Sequence, residues 1–420
     1  MSTSPSISSD DHREPNIGFR EFVTMIAAMM AINALAIDVM LPALADIANS
    51  IHIQTENGRQ WIVTAYILAF GAAQVIYGPI ADRFGRRRVI LVGLAIYFVF
   101  SIIAALATSV EVFLAARVMQ GVGSAASRVL AVSIVRDRFS GREMARVMSL
   151  AFMVFLAVPI IAPSIGQIIM LFAPWEWIFG ILAVYSASLI VWVYLRLPET
   201  IHPEDRKPLS ATNVIHAFKI VLTNRVTLGY MLAMGLVMGG LFGFINSAEQ
   251  IFVDVFQAPR LFTTIFAVIA AAIGVASLLN ARFVGRLGMR KVSHSALCGY
   301  IVFGGLHAVV AMSGHETIWT FAALQAAVTF CFGLMSSNFG AMAMEPMSHI
   351  AGTAASVQGI LTTLGGGIAG FVIGQQFDGT TVPFTIGFFV LGLASLVMVL
   401  IAEKGRLFHA QHAGDSKGSH

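Results

Sequence analysis

Charged residues cut this 420-residue chain into twelve long apolar stretches, and that pattern restricts the fold more than any other feature. The stretches run roughly Phe22 to Leu44, Gln60 to Ile80, Val89 to Val110, Val112 to Val135, Val147 to Pro174 and Trp177 to Leu195. After a polar interval come Val226 to Asp254, Leu261 to Ala281, Val292 to Met312, Thr317 to Met344, Gly352 to Gln375 and Pro383 to Ala402. Nearly all reach the length of about 20 residues that carries a helix across the hydrocarbon core, and none alternates like a barrel strand. Only 11% of the residues are charged, against about a quarter in a soluble domain. The expected fold is an all-α membrane protein with twelve transmembrane helices.

Lys and Arg set the orientation. With the N-terminus inside, 22 of the 26 fall in cytoplasmic segments, Arg59 and Arg260 lie outside, and Arg117 and Arg128 fall within a span. The reverse topology would leave two inside, so both termini are expected in the cytoplasm. Basic residues placed between spans meet lipid phosphate, so the expected partners are membrane lipids and not nucleic acid. Cys298 and Cys331 lie inside apolar stretches, with no paired Cys or His at metal spacing. No disulfide framework, metal or cofactor is expected.

A long polar insertion, RLPETIHPEDRKPLSATNVIHAFKIVLTNR from Arg196 to Arg225, separates six spans from six. RFGRRRV at Arg83 to Val89 returns as RLGMRKV at Arg286 to Val292, which points to a duplicated six-span unit. The copy is imperfect, because Gly285 answers Asp82. The expected division is a cytoplasmic tail (1–21), a six-helix bundle (22–196), a cytoplasmic linker (197–225), a second six-helix bundle (226–403) and a cytoplasmic tail (404–420).

Five places carry chemistry. The first is GPIADRFGRRRV, Gly78 to Val89, with four arginines, Arg83, Arg86, Arg87 and Arg88, at a cytoplasmic surface. Basic charge there follows from topology alone; Gly78, Asp82 and Gly85 add the look of a loop that packs closely and switches. The second is Asp38, in the outer half of the first span. An intramembrane carboxylate costs on the order of 3 kcal/mol and is a functional-site hypothesis by default, here for proton exchange, with helix packing as the alternative. Pro42 loosens the helix just beyond it.

In the fourth span Arg117 and Arg128 lie within about 20° of one face, with Gln120, Gly121 and Ser124 between them. That stripe must line water or a partner. Arg117, always charged, suits biasing a carboxylate or orienting a substrate; Arg128 is nearer the cytoplasm and equally reads as a snorkelling residue. The fifth span carries Pro159 and Pro163 one turn apart, then Gly166, which reads as a bent hinge or a close helix contact. In the seventh, Phe242, Asn246, Glu249 and Gln250 share a face that could line a cavity, Glu249 reading equally as hydrated in the outer interface. Tyr66 and Gln74 of the second span are further cavity candidates.

At these residues the chain resembles the major facilitator superfamily. GPIADRFGRRRV is similar to its loop 2–3 signature, ARVMQGVGSAAS to its fourth-span motif, and the proline-containing fifth span to its antiporter motif. AIDVMLPAL, the run GREMARVMSLAFMVFLAVPIIAPSIGQ, the linker and EPMSHIAGTAASVQG resemble the bicyclomycin and chloramphenicol resistance branch of drug:proton antiporters. The resemblance implies two bundles rocking around a central cavity in the bacterial inner (plasma) membrane, exporting a small drug-like molecule against protons, as a monomer and not an enzyme. It implies that Asp38 and Arg117 serve proton coupling, and that Asp82 faces the eleventh span to hold one conformation. Ala162 and Gln167 depart from the antiporter motif, where glycines are usual. Two other functions remain open: a proton-coupled carrier of one metabolite, and a non-transporting receptor or integral enzyme, for which no nucleophile with its base is in sight.

Overall fold

The computed structural model describes residues 17–201, 204 and 218–408. Residues 1–16 and 409–420 of the expected tails and 202–203 and 205–217 of the expected linker lie outside the described residues. Among these residues there are twelve apolar helical spans: α1 (Phe19–Ser50), α2 (Glu56–Phe84), α3 (Arg86–Ala105), α4 (Val110–Arg138), α5 (Gly141–Phe172) and α6 (Glu176–Arg196), then α7 (Arg225–Val255), α8 (Pro259–Leu287), α9 (Met289–Met312), α10 (Ile318–Met347), α11 (Ala354–Gln375) and α12 (Val382–Ala402). They match the twelve apolar stretches, with ends moved by a few residues.

The duplication in the sequence is a duplication in space. In the first half α2 packs on α4, α3 on α4 and α6, and α1 on α4, α5 and α6. Adding six to each number gives the packing of the second half: α8 on α10, α9 on α10 and α12, and α7 on α10, α11 and α12. The two bundles meet where α2 lies on α11 and α5 on α8, a pair of contacts that the same twofold relation exchanges.

Local chemistry sets the details. The expected loop after Gly78 is a single residue: α2 stays helical through Pro79 to Phe84, and α3 starts at Arg86. Gly85 makes the corner at φ +97°, and its counterpart Gly288 does so at φ +83°, a backbone region that glycine enters without strain. Gly78 has open space around it, so packing does not demand a glycine there. The helix of α1 stops at Asp38, and a 3-10 turn with Pro42 near its start leads into Leu44–Ser50. The expected bend of α5 is not a break: Pro159 and Pro163 lie inside one helix, Gly141–Phe172. Two wider π turns, Ile251–Val255 in α7 and Ile360–Leu364 in α11, had no signal in the sequence.

Candidate functional site

Asp38 is 3% exposed and closes the first helix of α1. It makes no hydrogen bond or ion pair with any described residue. Next to it, α5 presses on the broken backbone: a methyl on Gly166 would overlap the Val39 carbonyl oxygen. Of the α5 expectations, close helix contact is therefore the one that Gly166 serves.

Arg117 is fully buried and extends toward α1 and α2. Its Nε donates to the Ile62 carbonyl at 2.9 Å and its Nη2 to the Ala36 carbonyl at 3.1 Å, two residues before Asp38. Nη1 donates to Gln120 Oε1 at 2.8 Å, and the guanidinium lies 4.6 Å from the Tyr66 ring centroid. Gln120 in turn donates to Ser101 at 2.7 Å, and the Tyr66 hydroxyl sits 2.7 Å from Ser124 Oγ and 3.0 Å from Asn33 Oδ1. Arg117 and Asp38 form no ion pair. Gln120 and Ser124, expected on a cavity wall, are spent inside the first half, each fully buried. Asn33 and Ser101 belong to the same network and were not anticipated.

The seventh-span residues sit elsewhere than expected. Glu249, read as a cavity residue or one in the outer interface, is 2% exposed: its Oε2 lies 3.0 Å from Nη1 of Arg59 at the start of α2. Arg59 also pairs with Asp254. Beside it Gln60 donates to Gln250 Oε1 at 2.6 Å and to the Gly374 carbonyl at 2.8 Å, while Asn57 donates to the carbonyls of Gln375 and Phe377. Asn246 faces Thr64 at 3.4 Å, and Trp61 packs on Phe371 with ring centroids 4.3 Å apart. Further down the seam Gly71 lies on the Leu364 backbone and Gln74 reaches Thr363 at 3.4 Å. Phe242 is half-buried, its backbone against Gly370. On the other flank Thr263 donates to Gln167 at 2.6 Å, so the residue that departs from the antiporter motif bonds the two halves together. Arg59 was legible only as one of two Arg on its side of the membrane.

At the Gly85 end, the ion pairs among the described residues stay within each half. Arg86 is 3% exposed and holds Asp82 at 2.6 Å and Asp137, at the end of α4, at 3.0 Å. Asp82 therefore meets Arg86 in this structure and not α11. Glu199 caps α3, accepting from the backbone N–H of Arg86 at 2.7 Å and of Arg87 at 3.3 Å. A side chain on Gly85 would overlap that carboxylate. Arg87 reaches the Tyr194 carbonyl; Arg83 and Arg88 are exposed. The second half has a related cluster, in which Arg290, the counterpart of Arg87, sits between Glu403, at 2.8 Å, and Glu345, at 3.4 Å.

An assembly of two packed bundles with a buried, unpaired acid in one and a polar seam at one end has the parts of a carrier with two moving halves. A model of the Major Facilitator Superfamily matches residues 26–370. A bicyclomycin resistance protein homolog of Haemophilus influenzae is 29% identical, covering 90% of this chain and 94% of its own. A chloramphenicol resistance protein of Pseudomonas aeruginosa is 30% identical, with 90% and 89% covered. The crystal structure of a D-xylose–proton symporter superposes with a TM-score of 0.69 over 92% of this chain and 99% of that one, at 13% identity. The chain belongs to the Major Facilitator Superfamily, as a multi-pass transporter of the inner membrane and not an enzyme.

Proposed function

We propose that this transporter exports small amphipathic drugs in exchange for protons, by rocking its two halves about a central path. The observation that carries the reading is Asp38, a buried acid with no partner, set where α1 breaks and α5 presses on it. An unpaired charge there costs several kcal/mol, so the site favours exchange with a proton over a permanent anion. Arg117 is tied to the carbonyl of Ala36 and so transmits a change at α1 to α2 and α4. Relatives named for resistance to bicyclomycin and chloramphenicol support drug export as the direction of travel.

In this reading the Gly85 end is cytoplasmic, the Asn57 end faces outward, and the bundles divide at the linker between 196 and 225. Arg59, Gln60, Glu249 and Gln250 latch the outer end in the state seen here, and Gln74 continues that seam. Asp82, Arg86 and Arg87 belong to the opposite end, where Asp82 is released to Arg86. The expectation that Asp82 seals against α11 applies to the opposite conformation. The transporter works as a monomer among membrane lipids.

The test is growth of a pump-deficient bacterial host on an antibiotic panel including chloramphenicol and bicyclomycin. Expression should raise the inhibitory concentration of at least one of them, and a protonophore should remove the protection. Protection that survives the protonophore would remove proton coupling from the account.

A further inference from the structure

Arg128 has no role in the exchange described above. It lies on the face of α4 that carries Arg117, but in the half of the span nearer the Gly85 end. Among the described residues its guanidinium makes no hydrogen bond and no ion pair. Instead it is bracketed by two rings of α5, Phe152 and Phe155, at 5.3 and 5.2 Å from their centroids. Its Nη1 is buried without any partner. A snorkelling arginine would place its N–H groups in water or among headgroups. Here the residue is half-buried: Nη1 is enclosed, and the guanidinium is held by aromatic faces.

Among the described residues the buried arginines all have polar partners, which half-buried Arg128 has not. Arg117 is spent on two carbonyls and Gln120, Arg86 on Asp82 and Asp137, and Arg290 on Glu345 and Glu403. Aromatic faces attract a cation but accept none of its five N–H donors in the planar fork that fits a carboxylate or phosphate. The chemistry left vacant at Arg128 is that of a bidentate oxyanion flanked by apolar rings.

We propose that Arg128, with Phe152 and Phe155, is a binding site for the anionic group of an amphipathic organic acid. The fork takes a carboxylate or phosphate and the rings take the adjoining apolar body. Such a group could belong to a transported solute or to an anionic lipid headgroup, and the chemistry is the same. The solute case rests on the export reading above; the binding itself does not.

The test uses full-length protein purified in neutral detergent, with two arms. In the first, 1-naphthaleneacetate and its neutral amide are titrated against wild type, R128Q and R128K, with thermal melting to establish that each is folded. In the second, native mass spectrometry counts phosphatidylglycerol and phosphatidylcholine retained by the same proteins. A solute site predicts that wild type prefers the acid at least tenfold, that R128Q loses the preference, and that R128K, which keeps charge without the fork, retains part of it. A headgroup site predicts no acid preference but one phosphatidylglycerol fewer on R128Q than on wild type. If R128Q matches wild type in both arms, or if R128K behaves as R128Q in both, the proposal is overturned. Because neither arm measures transport, loss of the export reading would leave these results standing, and the reverse holds too.

Discussion

The two ends of this molecule use charge in opposite ways. At the Asn57 end ionic and amide contacts run between the halves: Arg59 to Glu249 and Asp254, Gln60 to Gln250, Asn57 to the end of α11. At the Gly85 end the ion pairs stay inside each half, Arg86 with Asp82 and Asp137, Arg290 with Glu345 and Glu403. The first arrangement holds two bodies together; the second stiffens each body. A carrier whose halves rock needs both, since a bundle that bends internally cannot transmit a hydrogen bond broken at one end into movement at the other.

If that division is right, the two sets of pairs fail in different ways when cut. The largest effect is expected from Arg86→Ala, which leaves Asp137 and Asp82 without their shared cation. Removing one side of a mostly buried pair costs about 3–5 kcal/mol. It should appear as a lower melting temperature and poorer membrane yield, with little change in which end is open. A mutant of normal stability whose halves have shifted apart would break the comparison.

Arg59→Gln should do the reverse. Losing about 2–3 kcal/mol of closed-state bias moves the ratio of the two conformations roughly 30- to 150-fold. Pulsed spin-label distances between labels at Gln54 and Gln257, both exposed at the Asn57 end, should lengthen while thermal stability stays near wild type. A drop in stability with no added long-distance population would place Arg59 with the stiffening pairs. A smaller change is expected from Asp82→Asn. Its side chain is 38% exposed beside Arg86, and an exposed pair adds at most about 1 kcal/mol. Turnover should slow about fivefold with substrate affinity unchanged; lost affinity at normal turnover would move Asp82 into the binding path.

The comparison also shows what could be read in advance. The twelve spans were legible because lipid imposes a run of about 20 apolar residues on any helix that crosses it, and the duplication because RFGRRRV returns as RLGMRKV; the corner was not, since the loop expected from Gly78 to Val89 shrinks to Gly85. The seam was not legible. Arg59 and Glu249 are 190 residues apart, and nothing local in either stretch names the other. Polar residues of α4 were found by their shared face, yet the face alone did not tell that Gln120 turns to Ser101 in α3 and not to an open wall. Prolines 159 and 163 suggested a bent hinge or a close helix contact because they remove backbone donors; the helix runs through both, as membrane helices can when neighbours supply other partners. The π turns change only the hydrogen-bond register, which leaves no trace in composition.

The central claim is that Asp38 carries the proton whose movement drives export. It is tested most directly by Asp38→Asn in inverted membrane vesicles, with drug accumulation followed after an imposed pH gradient. The substitution keeps the size of the buried side chain, so the protein should reach the membrane and melt near wild type, while pH-driven accumulation falls to the level of empty vesicles. Accumulation that persists in the Asn variant would contradict the account.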